Sequence, residues 1–215
     1  MKNYIYTTCC LLLLACGQSQ NSTVQNPVQK DSVSVVTESV ESHSNPSSVS
    51  EIKNAYAAIN DKLQRKRLDS VSFKYDCEGE RTGTVTYFSE QGRLALIKHS
   101  FNEYSHFSAV DQYFVRQDSL FFVHTNSMVW SFEAGQAAEG ATKDDITENR
   151  LYISKNKALL CLEKKYSKRS QSSDLPNPNK IANKEVECKP IQPILKNYGK
   201  LLAFKESTNH DCLAK

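Results

Sequence analysis

Three segments of this chain repeat one pattern, and that repetition constrains the fold more than any other feature. Residues 87–98 read YFSEQGRLALIK, residues 113–124 read YFVRQDSLFFVH, and residues 152–163 read YISKNKALLCLE. Each opens on Tyr with an apolar neighbour, turns polar in the middle, places Leu seven after the Tyr, and continues apolar. The middles, Gln91-Gly92, Gln117-Asp118 and Asn156-Lys157, suit two-residue turns between paired strands. Repetition of this kind implies tandem β-hairpins. The opening tyrosines are 26 and then 39 residues apart, too irregular for a solenoid.

Those turns dictate a pairing. Tyr87 is expected opposite Leu96, Tyr113 opposite Phe122, and Tyr152 opposite Cys161. Val85, Leu94, Val115, Leu120 and Leu159 would share the tyrosine face. Phe88, Ile97, Phe114, Phe121, Val123, Ile153, Leu160 and Leu162 would take the other. Both faces are then substantially apolar, unlike a sheet with one wet face. Two arrangements satisfy this. Either helices cover one face while a strongly curved sheet encloses the other, or one face meets a partner. On the second arrangement Tyr87, Tyr113, Phe122, Trp130 and Tyr152 are the candidate binding face.

Further strands are expected over 71–75, over 107–115 and through Met128, Trp130 and Phe132, with Val129 on the far side. Ser48 and Glu51 have the spacing of a helix-opening capping box. Behind them Ile52, Ala55, Tyr56, Ile59 and Leu63 form one apolar stripe, so a helix is predicted over 50–66. A second helix is predicted near 191–203, with Pro193 in its first turn and Gly199 weakening its middle. The small and acidic residues 133–149 read as a solvated loop, as does the polar run after Glu163. The fold class is therefore α+β, mainly β: a single strongly curved antiparallel sheet of six or seven strands, packed by N- and C-terminal helices.

The N-terminus reads MKNYIYTTCCLLLLACGQ. Its apolar stretch is too short to span a bilayer and reads as a targeting segment. The end, Leu13-Leu14-Ala15-Cys16, resembles the lipobox of bacterial lipoproteins. That resemblance implies cleavage before Cys16 and acylation of Cys16, which holds a protein to a membrane by several chains. With Gly17-Gln18 following and no acidic residue at the second position, it also implies an outer-membrane destination. The expected organisation is a signal peptide at 1–15, a lipidated cysteine and disordered tether at 16–49, a single domain at 50–206, and a tail at 207–215.

Of the cysteines, Cys77, Cys161, Cys188 and Cys212 remain. An even number in an exported chain is compatible with two disulfides, in any of three pairings. The formal net charge of +3 falls to +2 with the loss of Lys2, which gives no case for nucleic acid. No metal-ligand spacing, nucleophile elbow or phosphate loop is present, so no catalytic residue, metal or cofactor is expected. The wider pattern resembles small lipoproteins of Bacteroidetes whose function is unknown. The matching stretches are 71–77, 87–97, 113–123, 150–162 and 191–202, and the resemblance carries no catalytic residues.

The leading expectation is a non-enzymatic envelope lipoprotein that binds a protein or a hydrophobic envelope component. The alternatives are a small hydrolase built from loop carboxylates with His99, His106 or His124, and a structural subunit of an outer-membrane assembly.

Overall fold

In a computed structural model of the chain, the structure describes residues 44–133 and 139–213. The signal peptide, Cys16 and nearly all of the expected tether lie outside the described residues. Eight strands form one antiparallel sheet in chain order. They are β1 (Asp69–Cys77), β2 (Arg81–Glu90), β3 (Arg93–Glu103), β4 (Phe107–Arg116), β5 (Ser119–Phe132), β6 (Thr142–Ser154), β7 (Lys157–Arg169) and the short β8 (Lys184–Glu185). Helix α1 (Val49–Gln64) precedes the sheet and α2 (Gln192–Glu206) follows it.

The three repeats are the hairpins β2–β3, β4–β5 and β6–β7. Each turn holds two residues at positive φ: Gln91 at 49° and Gly92 at 77°, Gln117 at 46° and Asp118 at 57°, Lys155 at 49° and Asn156 at 57°. This primed geometry matches the right-handed twist of the flanking strands. The third turn is Lys155-Asn156, one residue earlier than the sequence pattern suggests. Leu151, not Tyr152, is therefore the structural counterpart of Tyr87 and Tyr113.

The expected pairings are also displaced, by a bulge in each hairpin and, in the third, by the earlier turn as well. Tyr87 pairs with Ile97, Tyr113 with Val123 and Tyr152 with Leu160. In each hairpin the register shifts at the same place, after Phe88, Phe114 and Tyr152. One extra residue (Ala95, Phe121 or Leu159) stands in the returning strand. A bulge of this kind sets two consecutive side chains toward one side and exchanges the faces of everything beyond it. Ile97 and Val123 consequently join the tyrosine face. Ala95 with Leu96, and Phe121 with Phe122, enter the opposite core together.

The two helices divide the two faces. Ile52, Ala55 and Ile59 of α1 pack with Ala95, Leu96, Phe114, Phe121, Phe122 and Tyr152. Tyr56 sets its edge 5.0 Å from both Phe114 and Phe122. On the other face Tyr198, Leu201 and Phe204 of α2 pack with Tyr75, Val85, Tyr87, Ile97, Tyr113 and Val123. The Tyr87 hydroxyl donates to the Leu201 carbonyl at 2.6 Å. The expected strongly curved sheet is thus corrected: the sheet is open, with β1 and β8 as its edges, and is not strongly curled. Curvature is unnecessary because each apolar face already has its own helix.

Local signals hold at the helix starts. Ser48 caps α1 by accepting from the Glu51 N–H, while the Glu51 carboxylate accepts from the Ser47 N–H and hydroxyl. The reciprocal contact is therefore one residue earlier than in a simple capping box. Pro193 sits in the first turn of α2.

The loop expected over 133–149 is shorter than predicted. β5 continues to Phe132, and 142–149 pair along it from Phe132↔Thr142 onward. A polar strand half exposed on both sides carries little hydrophobic alternation for a sequence to reveal. The polar run after Glu163 behaves likewise, remaining in β7 as far as Arg169. The disulfides are Cys77–Cys212 and Cys161–Cys188. The first holds the tail: Leu213 is buried, and His210 stacks on Phe73 at 4.0 Å.

Candidate functional site: a polar trough on the α1 face

Helix α1 covers only part of its face of the sheet. Its apolar row (Phe88, Leu96, Phe114, Phe122, Tyr152 and Leu160) lies at the end of the hairpins near the two-residue turns. Along the same strands away from those turns, the side chains on this face become short and polar. Thr84, Ser100, Val110 and Asn126 follow one another across β2 to β5, and Thr82, Asn102, Ser108 and Met128 form the next row. Short side chains with no helix above them leave an open trough of about 1170 Å³. That is slightly above the usual size of a small-molecule cleft.

Lys74 and Asp76 of β1 stand along one side of the trough, and Asp144, Lys168 and Tyr166 of β6 and β7 along the other. Two lysines face three aspartates, counting Asp211 of the tail, so the lining is nearly neutral. Beyond Met128 on the same face lies Trp130, which pairs with Asp144. Its indole N–H donates to the Ser105 carbonyl at 2.6 Å, and its ring lies 4.0 Å from the His106 ring and 5.4 Å from Phe132. Phe132 and Tyr104 are 67% and 65% exposed. This corner is a fixed aromatic ledge open to solvent.

The row of Thr84, Ser100, Val110 and Asn126 continues into a charged pair, Glu148 and Lys164. The Lys164 ammonium is 3.1 Å from Glu148 and donates to the Pro178 carbonyl at 3.1 Å. The Tyr166 hydroxyl donates to the other Glu148 oxygen at 3.3 Å. Both Lys164 and Glu148 are buried. A buried carboxylate needs such partners to offset desolvation. His124 stands 3.9 Å from Glu148, and its Nδ1 lies 3.2 Å from the Gln112 amide oxygen. Burial holds the His124 pKa below its ordinary value, with Arg150 and Lys164 acting the same way and Glu148 opposing.

The α2 face holds a second polar group. His99, Asp111 and Tyr113 line a cavity of about 80 Å³ together with Arg81, Asn197 and Leu213. His99 and Asp111 pair across β3 and β4. Burial, and secondarily the Arg81 charge, lowers the His99 pKa to about 4. Burial raises that of Asp111 to about 6, with Arg81 opposing. The Arg81 guanidinium lies over the Phe101 ring at 4.5 Å and pairs with Glu103 at 3.1 Å.

The residues singled out as a binding face do not form one. Tyr87 and Tyr113 are buried beneath α2, and Phe122 and Tyr152 are buried beneath α1. Trp130 alone reaches the open part of the sheet. The histidines separate as well: His99 on the α2 face, His124 on the α1 face, and His106 exposed against Trp130. Among the described residues no group of three or more His, Cys, Asp or Glu is placed to hold a metal, and no helix is long and apolar enough to cross a membrane.

Sequence reasoning missed the trough residues, although a signal was there. Thr82, Thr84 and Thr86 recur with the period of a strand, as do Ser100 and Asn102. Read together they describe one polar half-face. No protein-family model, curated protein or solved structure matches this chain.

Proposed function

We propose that this chain is a lipid-anchored component of a bacterial cell envelope, held to the outer membrane through Cys16, and that its trough binds a polar envelope partner without chemical conversion. The observation that carries the reading is the trough itself, a large polar depression beside a face that is otherwise sealed. Most of the large apolar side chains on both faces are packed against α1 and α2. This favours a polar partner over the hydrophobic component first expected. A purely structural subunit would call for a wide, flat interface, which a depression of this size does not offer. Glu148, the buried carboxylate nearest a histidine, already has both oxygens engaged by Lys164 and Tyr166. This supports binding over acid–base chemistry.

Two experiments test this reading. Cys16→Ser should abolish labelling by a fatty acid fed to cells and release the protein from the membrane fraction. Persistence of label would remove the anchor. A photoreactive side chain at Ser108, on the trough floor, should capture an envelope component in living cells, whereas one at Lys53, exposed on α1, should not. Ser100→Phe, which fills the trough, should abolish that capture. Equal yields at Ser108 and Lys53 would overturn the trough as the binding site.

A further inference from the structure

We infer that the trough takes a neutral oligosaccharide, laid across the strands with one sugar face against Trp130. The inference rests on the trough being the binding site and adds the class of ligand.

The first observation is which groups are unused. The side chains of Thr84, Ser100, Ser108 and Asn126 are half-buried in the trough wall. None of these side chains has a hydrogen bond to another described residue. Elsewhere on the sheet comparable groups are paired, as Ser72 is with Thr86 at 2.8 Å and Asn149 with Thr125 at 3.2 Å. Hydroxyls and amides donate and accept at once. A surface carrying several of them, spaced by the roughly 4.8 Å between strands, complements a ligand that also donates and accepts at every few ångströms. Sugar hydroxyls do this.

The second observation is the amphipathic lining. The polar rows cross β2 to β5, while Met128 and Ile146 lie side by side on β5 and β6 with Trp130 just beyond. A pyranose has a polar rim and C–H-lined faces. An aromatic ring presents its negative π face to such weakly positive hydrogens. Trp130 stands one row beyond the lining, with one ring face held against His106 and its N–H on Ser105, so little side-chain freedom is lost when a sugar meets the opposite face.

The third observation is charge. Lys74 and Lys168 are offset by Asp76, Asp144 and Asp211, leaving no cationic excess for a phosphate polymer or an acidic headgroup. Lys164, in line with the trough row, is committed to Glu148 and Pro178, while Lys98 and Arg150 stand one row nearer α1. An extended peptide would be held chiefly by main-chain pairing at a free strand edge. The trough floor consists of interior strands whose backbone groups already pair with one another.

Trp130 is the chain's one tryptophan, so its fluorescence reports directly on the site. The full chain, in a detergent without sugar headgroups, is titrated with tetrasaccharides of glucose, mannose, galactose and N-acetylglucosamine. At least one should shift Trp130 emission saturably. Asn126→Ala and Ser108→Leu should weaken that binding at least tenfold with unchanged thermal unfolding. Trp130→Phe should do the same, followed by calorimetry. Absence of saturable binding by all four overturns the sugar assignment. If Ser108 still captures a peptide or protein in cells, the trough remains the binding site and only its ligand class is wrong. If Ser108 captures nothing beyond the Lys53 control, the trough reading falls as well.

Discussion

The Tyr75 hydroxyl lies 2.7 Å from Nε2 of His99, although β1 and β3 do not pair. The phenol reaches across β2, and it can do so because the residue beneath it is Gly83. A Cβ at Gly83 would stand 2.6 Å from the Tyr75 oxygen and 2.8 Å from the Ser100 carbonyl oxygen. Gly83→Ala should therefore destabilise the fold by about 2–4 kcal/mol, combining overpacking with loss of a buried hydrogen bond. Chemical denaturation measures this. Tyr75→Leu in the same background should recover part of the loss, because the ring is the nearer obstacle. Strictly additive effects would show that the two positions do not communicate.

The polar group beneath α2 makes stability depend on pH in two opposing ways. His99 titrates near 4 when folded and near 6.5 when unfolded. Between those values the unfolded chain binds a proton that the folded chain refuses, so stability falls as pH drops through that window, by about 3 kcal/mol. Asp111 runs the other way. Its folded value of about 6 lies above the ordinary 3.8, so it loses stability as pH rises from about 4 to about 6. The wild-type curve should be nearly flat there. Asp111→Asn removes the second effect, so its stability relative to wild type should grow as pH is raised from 4 to 7. A constant difference across that range would refute the assignment.

How much of this was legible in the sequence depends on which physical signal each part carried. Ser48, Glu51 and the Ile52–Ile59 stripe mark α1 closely, because caps and 3.6-residue periodicity are local. The three hairpins were legible from Tyr, a polar middle and Leu at fixed offsets, although the third turn falls one residue earlier than that pattern places it. Their bulges were not, because an extra residue such as Phe121 leaves composition unchanged and shows only in partner strands. That single residue decides whether Ile97 and Val123 face α1 or α2, so an accurate hairpin list still gave the wrong faces. The trough failed for a related reason. Ser100, Ser108 and Asn126 look like ordinary exposed strand residues until the register sets them side by side.

The turns offer a stability test of the repeat. The first turn has glycine at its second position, whereas the others place Asp118 and Asn156 there, after Gln117 and Lys155 at positive φ. Side chains in the left-handed region cost up to 1–2 kcal/mol, least for Asn and Asp, and Asn-Gly is favoured in this turn type. Gln117→Asn combined with Asp118→Gly should raise stability by about 1 kcal/mol, read as a higher denaturation midpoint with unchanged slope. A loss of stability would mean that the turn is not of this type.

Gly199 tests α2 in the same manner. It is exposed in the middle of the helix, and a Cβ there would meet nothing within 4 Å. Its substitution changes helix propensity alone. Gly199→Ala should stabilise the protein by about 1 kcal/mol. Thermal unfolding that is unchanged or lowered would indicate that α2 does not hold its helical form through this position.

The two disulfides should differ in what they contribute. Cys77 and Cys212 are 135 residues apart, Cys161 and Cys188 only 27. The entropy removed from the unfolded chain grows with the loop closed, giving upper values of about 5 and about 3.5 kcal/mol. The longer link also fixes a particular piece of structure. Leu213 lies in the α2-side core and lines the cavity of His99 and Asp111, while His210 covers Phe73. Cys212→Ser should therefore release the tail to protease and uncover that cavity. Cys188→Ser should loosen only the segment leading into α2. Limited proteolysis and denaturation of the two variants distinguish these outcomes. Equal destabilisation with an intact, protected tail in Cys212→Ser would show that Leu213 and His210 hold the tail without the covalent link.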